Sequence, residues 1–249
     1  MIEKNILGIT DLDTPIYRIF SLHRFMDLLA SRMNGLVNPS KWEDPFENFF
    51  LLSEIVAPRG ERGERISMSK LAEDWYGQCW TFNADTDAMW RIYSRDKDGV
   101  RLRTTVRKLF HSFYDSADQL ASLKFFCGRV SYYTEDQISA LMRKLTFRDV
   151  ALGGQGDKFA ELLCIKREAF QHENEVRLLF QDTIPKRGTG GVVCFPLDVN
   201  AVCDDVVVDP RLTDSEALAV ERKIRTAGCV LPITKSPLYR APSFTIRLA

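Results

Sequence analysis

The densest concentration of usable chemistry in the chain is Phe170-Gln171-His172-Glu173-Asn174-Glu175-Val176-Arg177-Leu178-Leu179-Phe180, where an acidic cluster runs into an apolar strand. Side chains alternate along an extended chain, so Glu173, Glu175 and Arg177 share one side while Val176 and Leu178 anchor the other. Three charges on one edge must be paired, solvated or used. Two readings follow. One is a solvent-facing strand with a Glu175–Arg177 ion pair worth little. The other is a catalytic carboxylate at a strand end, with Arg177 setting its ionisation and contacting substrate. Of the three histidines, His172 alone borders this acid cluster.

Other segments could serve such a carboxylate. Arg18 sits mid-strand between Tyr17 and Ile19, and its planar fork suits a phosphate or carboxylate, unless it simply lies on an exposed edge. Trp42-Glu43-Asp44-Pro45-Phe46-Glu47 combines a turn with two large aromatics. Trp42 and Phe46 read as core plugs, and Asp44 and Glu47 as groups able to orient a ligand or the arginines. Met89, Trp90 and Tyr93 share a helical face, for core packing or as a flat wall for a base or nicotinamide. Gly153-Gly154-Gln155-Gly156-Asp157-Lys158 lacks the full phosphate-loop signature. The six cysteines are scattered, mostly in apolar surroundings, which argues against a zinc site or a secreted disulfide framework.

The elements that must position these residues are expected as follows. A strand over 15–20 leads to a helix from Leu22 to Met33, capped by Ser21 and ended by Asn34-Gly35. A second extended piece covers 36–39, and residues 58–70 read as an exposed, mobile loop. Cys79–Phe82 reads as a strand, followed by a helix capped by Asp85 or Asp87. Gly99–Thr104 and Phe126–Tyr133 read as strands, with helices over 105–114, 136–147 and 158–168. The last sixty residues give strands at 191–195 and 206–210 and a helix over 214–227. The expected fold is a single α+β domain with a central mixed or antiparallel sheet flanked by helices, and residues from about 190 to 249 as a candidate subdomain. Lys+Arg and Asp+Glu number 34 each, so no whole-protein field favours nucleic acid or membrane. Arg101, Arg103, Arg107 and Lys108 form a local basic cluster that keeps a nucleic-acid partner open. There is no signal segment and no apolar run of spanning length, so the expected location is cytoplasmic.

Taken in order, Tyr17–Ser21, Asn38-Pro39, Trp42–Glu47, Cys79–Phe82, Met89-Trp90-x-x-Tyr93, Gly99-Val100 and Lys166 with Glu173–Arg177 resemble the bacterial domain-of-unknown-function family 2971, across most of the chain. That family carries no established chemistry. An early-strand arginine, a central strand and a late Glu-x-Glu also resemble, in order, the ADP-ribosyltransferases. That resemblance implies an ADP-ribosyltransferase-like fold and NAD as substrate, with no metal. Arg18 would grip the NAD phosphate, Thr81 would shape the nicotinamide pocket, and Trp90 or Tyr93 would stack on nicotinamide. Glu175 would bind the ribose and stabilise an oxocarbenium-like transition state, and Glu173 would activate the acceptor, a protein or nucleic acid. The family's Ser-Thr-Ser is Cys79-Trp80-Thr81 here, with a bulky Trp80 in place of a small residue. The implied function is an NAD-dependent transferase or NAD glycohydrolase, an effector of the toxin or phage-defence kind. The alternatives are a non-catalytic nucleotide- or ligand-binding sensor and a nucleic-acid-acting enzyme. A metal nuclease would want clustered carboxylates followed by lysine, whereas Glu175 is followed by Val-Arg.

Overall fold

The β-branched and aromatic runs of the sequence become strands, and a Ser or Thr opens each longer helix. A computed structural model describes residues 2–42, 54–56, 65–67, 73–145, 157–183, 186–243 and 245. Asp44, Glu47, Phe46 and the Gly153–Gly156 loop lie outside the described residues. In chain order the strands are β1 (Ile6–Leu7), β2 (Pro15–Ser21), β3 (Met33–Val37), β4 (Glu54–Val56), β5 (Arg65–Ser67), β6 (Trp75–Thr81) and β7 (Gly99–Thr105). They continue with β8 (Phe125–Arg129), β9 (Ser131–Tyr133), β10 (Ile165–Arg167), β11 (Glu175–Gln181), β12 (Val192–Pro196), β13 (Asp205–Val208) and β14 (Ile233–Lys235).

Ten of these make one mixed sheet in the order β1-β8-β11-β6-β2-β7-β13-β14, with β3 and β12 branching from β6. The protein is thus α+β, with a large central mixed sheet flanked by helices. β9 pairs in parallel with β10, and β4 with β5 as an antiparallel ladder, so part of the expected 58–70 loop is strand. β6 is the pivot. β11 pairs with it along its whole length, from Gln181↔Trp75 to Glu175↔Thr81. Its other edge is shared: β2 meets it only at Tyr17↔Thr81, and β3 only at Val37↔Gly77. The sheet forks there, and the Leu22–Ser31 helix connects the two branches.

Alternation on β11 divides two cores. Val176, Leu178 and Phe180 enter the larger one with Ile16, Phe20, Trp80 and the Val106–Phe113 helix. Leu179 enters the smaller one with Trp75, Phe126 and the Asp157–Leu162 helix. Glu175 and Arg177 share the parity of Leu179.

Several boundaries differ from expectation for local reasons. The first helix ends at Arg32, whose left-handed φ of 53° lets its N–H reach Leu28 O, so Asn34 and Gly35 are free to join β3. Thr86 rather than Asp85 or Asp87 caps the Asp87–Tyr93 helix, because its side chain accepts from Met89 N–H. The expected 126–133 strand breaks at Val130 into β8 and β9, which belong to different sheets. The helix expected over 158–168 stops at Leu162; β10 and a 3-10 turn, Glu168–Glu173, follow it. No helix of the described residues is long and apolar enough to cross a membrane. The four cations of the basic cluster pair with three acids. Arg107 pairs with Asp13 at 2.8 Å, Lys108 with Asp204 at 2.5 Å, and Arg101 and Arg103 with Asp205 at 3.7 and 3.3 Å.

Candidate active site

The acidic run is not one continuous strand. Glu173 closes the 3-10 turn, Asn174 takes a left-handed φ of 45°, and β11 begins at Glu175. The kink still brings both carboxylates to one cation. Lys166 Nζ on β10 donates to Glu173 Oε2 at 2.6 Å and to Glu175 Oε1 at 2.5 Å. Arg177 Nε donates to Glu175 Oε2 at 2.9 Å, and its Nη1 to Leu163 O at 2.6 Å. The solvent-facing reading is therefore excluded: Lys166, Glu173, Glu175 and Arg177 are 7%, 6%, 3% and 0% exposed.

Each member is braced by the sheet. Thr81 Oγ1 donates to Glu173 O at 2.5 Å and accepts from Asn83 N–H at 3.0 Å, tying the turn to the end of β6. Glu175 N–H donates to the Tyr132 hydroxyl at 2.8 Å. Trp42 covers the Arg177 guanidinium, with its ring centroid 4.4 Å away. That stacking requires glycine on β6, since a Cβ at Gly77 would lie 2.6 Å from Trp42 Cζ2. The Lys166 ammonium lies 4.8 Å from the Phe170 ring centroid.

The two carboxyls are driven apart electrostatically. Burial and the neighbouring Glu175 raise Glu173 to about 7, against the pull of Lys166. Burial pushes Glu175 upward too, but Arg177, the Glu173 carboxyl and Lys166 outweigh it and hold it well below the usual carboxylate range. Near neutrality the pair thus offers one fixed carboxylate and one group able to carry a proton.

Glu175 lines a cleft of about 100 Å³ where β2 leaves β6, together with Tyr17, Arg18, Cys79, Thr81, Met89 and Tyr93. Arg18 is the unusual wall. Its Nη1 is sealed from solvent with no hydrogen-bond partner, and burial lowers its pKa to about 10. The Phe20 ring lies 4.8 Å from the guanidinium, which leaves a cation short of an anion. Burial raises the Tyr93 hydroxyl, and the charges of Glu173 and Glu175 raise it further.

Four residues singled out in the sequence therefore converge on one cleft: Arg18, Thr81, Tyr93 and Glu175. Glu173 adjoins it through Lys166. Trp90 does not line it; that ring is fully buried, with its indole N–H held by Asp85 at 2.5 Å. Arg177 is also sealed from the cleft, as a brace of Glu175 rather than a wall. His172 is exposed and offers only its backbone carbonyl, to Asn83 at 2.6 Å. No group of acids, cysteines and histidines among the described residues could hold a metal. Sequence reasoning named Lys166 as part of the family resemblance but gave it no role, because the burial that makes two glutamates need a second cation does not show in the sequence.

Residues 89–178 match the family model described as a protein of unknown function, DUF2971. The matched stretch of this chain contains Tyr93, Lys166 and the Glu173–Arg177 run. No curated protein matches the chain. Among solved structures, DarT of Thermus sp. 2.9 in complex with carba-NAD+ is similar at 11% identity and a TM-score of 0.40, over 92% of this chain and 98% of that one. The same protein with NAD+ gives 13% and 0.38 over 92% and 98%, and with ADP-ribosylated ssDNA 12% and 0.40 over 92% and 97%. Likeness at this level places none of the residues named above.

Proposed function

We propose that the cleft binds NAD and that the protein is an NAD-dependent ADP-ribosyltransferase or NAD glycohydrolase. The observation that carries this reading is the meeting, in one cleft, of an ionised carboxylate and a half-buried arginine with one sealed, unpartnered nitrogen. NAD supplies the complement of each. Its pyrophosphate pairs with the exposed side of the Arg18 guanidinium, and its ribose becomes cationic as the nicotinamide bond breaks, beside Glu175. The cleft is smaller than the usual ligand pocket and has room on the scale of one ring, so nicotinamide enters it and the rest of the dinucleotide crosses open surface. Tyr93 supplies the face for the ring, and Thr81 fixes the turn that carries Glu173.

As the C1′–N bond breaks, its electrons leave with nicotinamide, which departs neutral. The acceptor's lone pair then forms the new bond to C1′, and its proton passes to the Glu173 carboxylate. The acceptor is water for a glycohydrolase, or a protein or nucleic acid for a transferase. Incubation with NAD labelled in both halves tests the reading. Wild type releases nicotinamide and Glu175→Gln does not, and label found on a macromolecule separates transfer from hydrolysis. Silence from folded wild type, with host lysate present, would sink the proposal.

One observation favours a second reading, a binding or sensor domain without chemistry. Both Glu175 oxygens already have cationic partners. On that reading NAD or another nucleotide still binds through Arg18, and Glu175→Gln alters affinity without any turnover to abolish.

A further inference from the structure

We propose that Lys166 is the positioning residue of the two-carboxylate site, bridging Glu173 and Glu175 so that Glu175 stays ionised while Glu173 remains free to take up and release a proton. The inference deepens the reading above and rests on it for its catalytic meaning, though not for its electrostatics.

The geometry is asymmetric. Glu175 faces two cations, Lys166 on one oxygen and Arg177 on the other. Among the described residues Glu173 faces the lysine alone, and shares it. The four side chains are nearly free of solvent, so neither carboxylate can draw on water to make up a deficit. Arg177 spends Nη1 on Leu163 O under the Trp42 ring, which leaves Lys166 as the cation bridging both acids. Among the described residues, the other titratable groups that interact with the pair are neutral near pH 7: Tyr93, from the Asp87–Tyr93 helix, Tyr132, from β9, and Cys164, all raised by burial. Across the cleft Arg18 is the further cation among the described residues of its wall.

A lysine suits this place and an arginine suits it less. The ammonium is a compact point charge with three donors, able to touch two carboxylates and an aromatic face at once. Loss of that charge raises both carboxyls, because each is lowered by Lys166. Glu173 then stays protonated at neutral pH and cannot accept the proton released when the acceptor attacks the ribose.

Side-chain carboxyl ¹³C NMR titrations of wild type, Lys166→Met and Lys166→Arg test this without NAD, with Glu173→Gln assigning the resonance. Wild type should show a glutamate titrating near neutrality. In Lys166→Met it should move up by about one unit or more, and in Lys166→Arg by less than about half a unit. The acid limb of the nicotinamide-release profile should move with it, costing about tenfold in rate at pH 7 in the Met variant. The inference is overturned if Glu173 titrates in the ordinary carboxylate range in wild type. A folded Met variant with unmoved titration overturns it equally, by making Lys166 a strut. If Lys166→Met does not fold, Lys166→Arg decides, because a lost neutral titration there contradicts charge as the operative property. Absence of nicotinamide release from wild type counts against the proposed function and leaves the titration to judge Lys166.

Discussion

Asp209 and Glu175 invite comparison, since each is a buried carboxylate with an arginine two positions further along and an ionisation held below the ordinary range. Asp209 is saturated. Ser94 Oγ donates to it at 2.6 Å, and Arg211 does so through N at 2.8 Å, Nε at 2.9 Å and Nη2 at 2.6 Å. Arg211 also reaches the Trp90 and Ser94 carbonyls, clamping the end of the Asp87–Tyr93 helix to the chain beyond β13. Nothing there is left over. Around Glu175 there is a second acid, a lysine shared between the two, and an arginine nitrogen across the cleft without a partner. The acid–x–arginine pattern is the same in both places. An unbalanced surrounding, rather than the pair itself, distinguishes a site from a clamp.

Four measurements would break or sharpen that contrast. Glu175→Gln should lower nicotinamide release by about 10³-fold with the fold intact, the scale of losing one preorganised transition-state contact. A change of less than tenfold would place Glu175 with Asp209, as structure. Asp209→Asn should do the reverse: about 3 kcal/mol lost in urea unfolding, because Arg211 is left without its anion, with the rate per folded molecule unchanged. Arg18→Met should weaken NAD binding by about 10- to 100-fold in calorimetry yet leave stability level or improve it by about 1 kcal/mol, since a buried cation without a partner is removed. Destabilisation instead would mean that Arg18 is already satisfied.

The smallest effect is on stability against pH. Glu173's folded value of about 7 lies above its ordinary 4.5, so between those values the native state holds a proton that the unfolded chain has released. Its contribution therefore falls as pH rises from about 4.5 to about 7; the full shift is worth about 3 kcal/mol, and screening together with the shared Glu175 and Lys166 charges brings the expected change to about 1–2 kcal/mol. Glu175 acts in the opposite sense: its contribution is present above its ordinary 4.5 and is lost as pH falls below that. Unfolding curves for wild type and Glu173→Gln across pH 4 to 8 should differ by a slope confined to the first window. Parallel curves would contradict the raised Glu173.

Much of the scaffold was legible in the sequence, because its signals are local. Ser21 caps its helix, Gly99–Thr105 and Pro15–Ser21 alternate as strands, and the Asp214–Thr226 helix begins with a capping box on Thr213 and Glu216. The cleft was legible in part. Arg18, Thr81, Tyr93 and Glu175 could be named by type and order, yet nothing local says that β2 touches β6 at one residue pair and then departs. The burial of Glu173, Glu175 and Arg177 was also hidden, since periodicity reports faces and not what covers them. Trp42 covers them from far earlier in the chain, and Lys166 from seven residues before Glu173. Trp90 illustrates the same limit: helical spacing put it beside Tyr93, but Asp85 and the core took its ring.

The ladder between β6 and β11 has a consequence for biosynthesis. Thr81 and Glu173 are 92 residues apart, so Arg18, Thr81 and Tyr93 are made long before the carboxylates they face. Contacts of such separation close late, after the loop entropy between them has been overcome. A chain still on the ribosome, or one cut short before β11, therefore has Arg18 and no carboxylate beside it. The cleft is incomplete until β11 has been made.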